Sequence, residues 1–188
     1  MNKMNKKTIW LCADLAIAAF LILLDQWTKQ LAIGKLKGQE AFVILRGIFE
    51  LEYLENRGSA FGMFQGKKVF LLIVGVLFMA VMLYLLIKTP AERRFLPIHI
   101  VASGIIAGGI GNMIDRFFLG YVVDFFSFVL IHFPVFNVAD SYIVIATIAM
   151  AILLIFVYQE EELQFLWKSK KIEGEPHGKD GSDDTAGV

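Results

Sequence analysis

Long apolar runs alternate with polar segments along the chain. Residues 9–24 are apolar apart from Asp14, and no charge interrupts 69–87. Two further apolar stretches follow, at 97–114 and after Asn137. A helix needs about 20 apolar residues to cross the hydrocarbon core of a bilayer. The pattern therefore predicts four transmembrane helices, over about 9–27, 69–87, 97–115 and 139–158.

A different pattern lies between the first two runs. Residues 49–53 alternate strictly between apolar and acidic, which is typical of a half-buried strand. Residues 40–45 favour a strand as well, and Arg46-Gly47 supplies a turn between the two. We expect a small β-cradle over about 38–62, with its apolar face on the membrane or the helices. Residues 117–136 are interpreted as an aromatic-rich loop at the lipid interface.

Composition narrows the class of protein. The 188 residues are 57% hydrophobic and suit a single domain. The formal net charge is zero, so no nucleic-acid partner is indicated. The single cysteine, Cys12, allows no intramolecular disulfide and is expected to be buried. We predict one integral-membrane domain over 1–160 and a disordered cytoplasmic tail over 161–188.

The basic residues set the expected orientation. The first basic cluster, Lys3 with Lys6 and Lys7, favours termini in the cytoplasm, although the positive charges of the later loops discriminate weakly. Asp14 is expected either to extend to the membrane surface or to pair with Lys6 or Lys7, and His99 is expected to lie at the lipid interface. The polar segments around Asp124 and Asp140 then face outward.

Candidate chemistry concentrates between residues 108 and 141. Asp124 stands between two valines and two phenylalanines, an apolar setting that raises a carboxyl pKa. Asp140 follows Asn137 at the expected start of the fourth helix, where free N–H groups favour an anion. Two carboxylates in unlike environments suit an acid/base pair. The 16-residue spacing permits contact between them without requiring it.

Simpler interpretations stand beside these. Asn137 and Asp140 together make a good helix start without any chemistry. Asp25 and Lys29 share a helix face and form an ordinary ion pair at a helix end. Gly104 and Gly108 favour close helix packing. The rival classes are a proton-coupled transporter, which needs polar residues along its spans, and a membrane adaptor, which tolerates loss of either aspartate.

Five short motifs carry a resemblance, in this order: D-Q-W-T-K at 25–29, N-R-G-S-A-F at 56–61, G-N-M-I-D-R at 111–116, V-V-D-F at 122–125 and F-N-V-A-D-S at 136–141. Together they resemble bacterial signal peptidase II, an aspartyl protease of the inner membrane. The resemblance implies a membrane all-α fold with four helices, an extracytoplasmic β-cradle and a site near the outer leaflet. It also implies removal of the signal peptide from prolipoproteins, just before a diacylglyceryl-modified cysteine.

The same resemblance implies roles for nine residues. Asp124 and Asp140 match the catalytic aspartates. Asn56, Arg116 and Asn137 match polar residues that line the site and position the substrate backbone. Asp25, Lys29, Asn112 and Asp115 match positions with structural or supporting roles. We expect no metal, no cofactor and a monomer, with prolipoproteins and membrane lipids as the partners.

Overall fold

Four helices carry the apolar runs in the computed structural model, which describes residues 5–59 and 63–166. They are α1 (Lys6–Leu36), α2 (Lys68–Lys88), α3 (Leu96–Phe118) and α4 (Val138–Ile152). With the short helical turns that flank α3 and α4, each is long and apolar enough to cross a membrane. The predicted fold class, four apolar helices with a small β element, is confirmed.

The first helix extends well past the predicted end of its span. It runs through Leu36, because residues 30–36 contain no proline and only one glycine to interrupt it. Asp25 and Lys29 therefore lie inside α1 and are buried, not at an exposed helix end. Cys12 is exposed on the same helix, so its expected burial was wrong.

Helix α3 is the centre of the bundle. It packs against α1, α2 and α4, and most of it is buried, whereas few residues of the other three spans are buried. Its glycines allow this: a Cβ on Gly108 would lie 2.5 Å from the carbonyl oxygen of Ala139, so α4 approaches the α3 backbone directly. The packing role expected for Gly104 and Gly108 is confirmed.

Three antiparallel strands form one sheet in the order β1 (Phe42–Leu45), β2 (Phe49–Asn56) and β3 (Val122–Phe128). Gly47 makes the predicted turn between β1 and β2, with a φ of 72° that suits glycine. In the second pair, Leu54 lies opposite Asp124.

The interpretation of 117–136 as a loop was wrong. This region contains the last residues of α3, the whole of β3 and a short 3₁₀ helix, Val129–Ile131. Five of the first six residues of β3 are buried, so the strand lacks the alternation that marks a half-exposed one. An apolar run of this length does not distinguish a buried strand from an aromatic loop.

At the end of the bundle away from the sheet, Asp14 and part of the predicted tail make buried contacts that the sequence did not predict. Asp14 pairs with His99, Oδ2 to Nδ1 at 2.8 Å, and not with the lysines of its own helix. Both side chains are buried. Leu163, in the predicted tail, packs with Phe95 and Tyr158. The rest of that tail, 167–188, lies outside the described residues, as do Lys3 and the motif residues Ala60 and Phe61.

Candidate active site

Asp124 is the third residue of β3 and is buried within the sheet. It is only 1% exposed, and its two carboxylate oxygens accept hydrogen bonds from two amides. Asn137 donates from Nδ2 at 2.6 Å, and Asn56 donates from Nδ2 at 2.9 Å. Burial, and secondly the nearby charge of Asp140, raise the pKa of Asp124 to about 7, against the effect of these two hydrogen bonds. The raised pKa expected for Asp124 is confirmed.

Asp140 lies in the first turn of α4, as predicted. Asn137 caps the helix: its Oδ1 accepts from the N–H of Asp140 at 2.9 Å, and Asp140 Oδ2 accepts from the N–H of Asn137 at 3.2 Å. The other oxygen, Oδ1, accepts from Nδ2 of Asn112 at 2.7 Å. The helix-start interpretation is therefore right, and it leaves one carboxylate oxygen outside the cap.

A single residue contacts both aspartates. Asn137 donates to Asp124 through its side chain and to Asp140 through its backbone N–H, and it is fully buried. Because the sequence separates the aspartates by a strand and a turn, their proximity was not predictable from spacing. The structure brings both carboxylates to one place through the start of α4.

These groups face a cleft of about 620 Å³ between the sheet and the ends of α3 and α4. Asp124, Asp140, Asn56, Asn112 and Arg116 line it. The Arg116 guanidinium donates to the carbonyl oxygens of Gly58, at 3.0 Å, and Asn112, at 3.4 Å. Arg116 thus holds the segment after β2 against α3 and places a positive charge in the cleft.

The cleft is also lined by residues that the sequence analysis did not assign to a site. Glu50 and Glu52 line it together with Asn56. Their alternate positions on β2 place them on the face that carries Asn56, a signal that the sequence did contain. His132, which was given no role, lines the cleft from the segment after β3. Its position depends on a strand that was not predicted.

The remaining motif residues form a buried cluster beside the cleft. The Lys29 ammonium lies 2.9 Å from Asp25 Oδ2, 3.0 Å from Asp115 Oδ2 and 2.9 Å from Asn112 Oδ1. Lys29, Asp25 and Asp115 are each at most 3% exposed. The interpretation of Asp25 and Lys29 as an ordinary ion pair at a helix end was wrong, because both side chains are buried and a buried charge is costly without its partner.

Comparisons with known proteins agree on one family. A family model described as signal peptidase (SPase) II matches residues 17–156. The lipoprotein signal peptidase of Caldanaerobacter subterraneus subsp. tengcongensis is 43% identical over 143 residues, which cover 76% of this chain and 95% of the relative. That of Clostridium novyi is 42% identical over 148 residues, covering 76% and 97%.

A solved structure also matches. It is described as a bacterial membrane enzyme determined by the in meso method at 1.9 Å resolution. The match has a TM-score of 0.68 and 30% sequence identity, and it covers 78% of this chain and 94% of the other. The two proteins therefore share a fold over most of this chain.

Proposed function

Because the chain belongs to the signal peptidase II family, we propose that it cleaves prolipoproteins with a pair of aspartates, just before a diacylglyceryl-modified cysteine. Membership makes it a protease that removes signal peptides from lipoproteins. The observation that carries the aspartyl mechanism is the contact of Asn137 with both Asp124 and Asp140 at one cleft.

The proposed chemistry uses one proton shared by the two carboxyls. The ionised carboxylate takes a proton from a water molecule, and the water oxygen attacks the scissile carbonyl carbon. The protonated carboxyl donates a hydrogen bond to the carbonyl oxygen as it becomes negative. The C–N bond then breaks as the cysteine nitrogen takes a proton from the carboxyl that received it from water, which returns the pair to one shared proton. The products are a signal peptide with a new carboxylate and a lipoprotein with a free amine.

The pKa of Asp124 supports this scheme. A carboxyl with a pKa of about 7 keeps a proton in a substantial fraction of molecules at neutral pH. Because the two aspartates interact, the proton belongs to the pair. The apolar surroundings of Asp124 therefore supply an acid that an exposed aspartate would not.

We assign the polar residues around the pair to two tasks. Asn56 and Asn137 orient the Asp124 carboxylate. Asn56 lines the cleft and offers hydrogen bonds to a peptide backbone there, whereas Asn137 is fully buried behind it, so the substrate contact expected for Asn137 was wrong. Arg116 provides the positive charge that favours an oxyanion there. Asn112 supports Asp140 from the wall of the cleft, and Asp25, Lys29 and Asp115 support the pair from the buried side.

The apolar exterior of the helices suits a lipid-modified substrate that reaches the enzyme through the bilayer. The diacylglyceryl group remains in lipid while the adjoining peptide bond enters the cleft beside the ends of α3 and α4. We place this cleft near the outer leaflet, with both termini in the cytoplasm and the enzyme working as a monomer. The sheet and residues 132–136 both line this cleft, where we place the scissile bond.

The decisive variants are Asp124→Asn and Asp140→Asn. Each is expected to abolish processing of a prolipoprotein, seen on a gel as accumulation of the uncut form, while membrane insertion is retained. Asp14→Asn is the matched control, because Asp14 is a buried aspartate paired with His99 away from the cleft. Normal processing by either Asp124→Asn or Asp140→Asn would contradict the mechanism.

A further inference from the structure

Directly before each aspartate of the proposed pair, the backbone N–H donates a hydrogen bond to a buried carboxylate. Asp25 Oδ1 accepts a hydrogen bond from the N–H of Ala139 at 3.0 Å, one residue before Asp140. Asp115 Oδ2 accepts from the N–H of Val123 at 3.1 Å, one residue before Asp124. The two contacts are equivalent, although one anchors the start of a helix and the other the start of a strand.

One ammonium group joins these two anchors. Lys29 contacts Asp25 at 2.9 Å and Asp115 at 3.0 Å, and its third hydrogen bond goes to Asn112, which itself donates to Asp140. An ammonium has three donors, and here each has an acceptor. From this geometry we propose that Lys29 is a positioning residue that sets the placement of Asp124 relative to Asp140.

This role rests on the proposed function, because it concerns the same two aspartates. Lys29 lies on α1, whereas Asp140 and Asp124 lie on α4 and β3. Asp25 ties the start of α4 to α1, and Asp115 ties the start of β3 to α3. Lys29 contacts both carboxylates and so links these two attachments. The Gln26 amide also donates to both carboxylates, at 3.2 Å to Asp25 and 2.9 Å to Asp115, but it brings no charge to balance theirs.

The positive charge of Lys29 has a second effect on the pair. It favours the ionised form of Asp124 and so opposes the rise in pKa that burial and Asp140 cause. The other titratable groups that line the cleft are Asp140 on α4, Arg116 on α3, the β2 glutamates 50, 52 and 55, and His132 after β3. Removing the ammonium also leaves Asp25 and Asp115 unbalanced, which adds negative charge nearby. Both changes raise the pKa of Asp124 further.

The test compares wild type with Lys29→Met, which keeps an apolar stem of similar length and removes the charge. The substrate is a synthetic peptide that spans the cleavage site and carries a diacylglyceryl-modified cysteine. We expect kcat to fall about 100-fold, as small displacements of reacting groups do, while KM changes less than about threefold. The alkaline limb of the kcat profile is expected to move to higher pH.

Asp14→Asn separates positioning from simple stabilisation. It changes a buried carboxyl of the same helix that contacts His99 of α3, and we expect a lower melting temperature with wild-type kcat and pH profile. The proposal is overturned if folded Lys29→Met keeps the wild-type kcat and pH profile. It is also overturned if Asp14→Asn lowers kcat as much as Lys29→Met at an equal loss of melting temperature.

A triple variant covers the case in which Lys29→Met does not fold. Asp25→Asn, Lys29→Met and Asp115→Asn together remove all three charges, and each new amide oxygen can still accept from Ala139 or Val123. We expect a folded protein with kcat at least about tenfold below wild type, because the ammonium that joins residues 25, 112 and 115 is gone and only the neutral Gln26 amide still contacts both anchors. Wild-type kcat in this variant would overturn the proposal. Inactive wild type would instead refute the proposed function, so the two failures are distinguishable.

Discussion

Neutral amides surround the two aspartates at the scale of single residues. Asn56 and Asn137 donate to Asp124, and Asn112 donates to Asp140. Amide donors hold a carboxylate in place but stabilise its charge less than an ammonium at the same distance would. Lysine or arginine in these places would keep both carboxyls ionised at neutral pH. The asparagines orient the pair and leave one proton available.

The pH dependence of turnover follows from the pKa of Asp124. The folded pKa, about 7, lies above the ordinary value of 3.8, so protonation of the pair is lost as pH rises through about 7. We expect kcat to fall on the alkaline side of neutrality by about tenfold for each unit of pH. The measurement is kcat for the lipidated peptide between pH 5 and pH 9. A kcat that stays level from pH 6 to pH 9 would contradict the assignment.

At the scale of single residues, the sequence predicted the setting of Asp124 but not the contacts of Asn137 and Lys29. The apolar neighbours of Asp124 predicted its raised pKa, because burial depends on residues adjacent in the chain. The shared contact through Asn137 was not predictable, since it requires the folded positions of β3 and α4. The depth of Lys29 was missed for a similar reason. A lysine that is only 1% exposed needs partners on α3, which the spacing of Asp25 and Lys29 does not reveal.

Two close approaches between secondary-structure elements set the distance between Asp124 and Asp140. Helix α4 crosses α3 at Gly108, and β3 pairs with β2 so that Asp124 lies opposite Leu54. The first approach places Asp140, and the second places Asp124. The hairpin was predictable from the alternation in β2 and the turn at Gly47. The buried third strand was not, because its residues are apolar on both faces.

Gly108→Ala tests the helix crossing. The added Cβ would lie 2.5 Å from the Ala139 carbonyl oxygen and 2.7 Å from Ile143 Cγ1, so the first turn of α4 must shift. We expect a lower melting temperature and a kcat reduced by about 100-fold, because Asp140 moves with that turn. The measurements are thermal unfolding and peptide cleavage.

Gly104→Ala is the matched control for this prediction. It is the same substitution one turn earlier on α3, where the added Cβ meets only the Ala146 Cβ, at 3.5 Å. Activity and melting temperature are expected to stay near wild type. Equal losses in the two variants would show that helix packing in general, and not the placement of Asp140, determines activity.

In the described part of the chain, buried pairs of ionisable side chains lie at two places along α1. At one end of α1, Asp14 and His99 join α1 to α3. Toward the other end, Lys29 and its carboxylates lie against the cleft. Between them the helices meet through small and apolar residues, including Ala18, Ala102 and Ala107. Buried charge is therefore placed where it fixes helix ends, and in one of the two places it also borders the proposed chemistry.

The four spans and the family were predictable from the sequence, because span length and short motifs are local properties. Helix lengths, the third strand and the contacts of residues 158–166 depend on packing between distant segments. Those contacts include the ion pair of Arg94 with Glu162. The cleft follows from the same packing, since α3, α4 and the sheet all contribute to it.

The most direct measurement of the central claim is a double-mutant cycle on kcat with Asp124→Asn, Asp140→Asn and the two combined. If the aspartates act as one acid–base unit, each single change lowers kcat by at least about 1,000-fold, and the double change costs little more than either alone. Losses that multiply in the double variant, or a single variant that retains most of its kcat, would contradict a shared site.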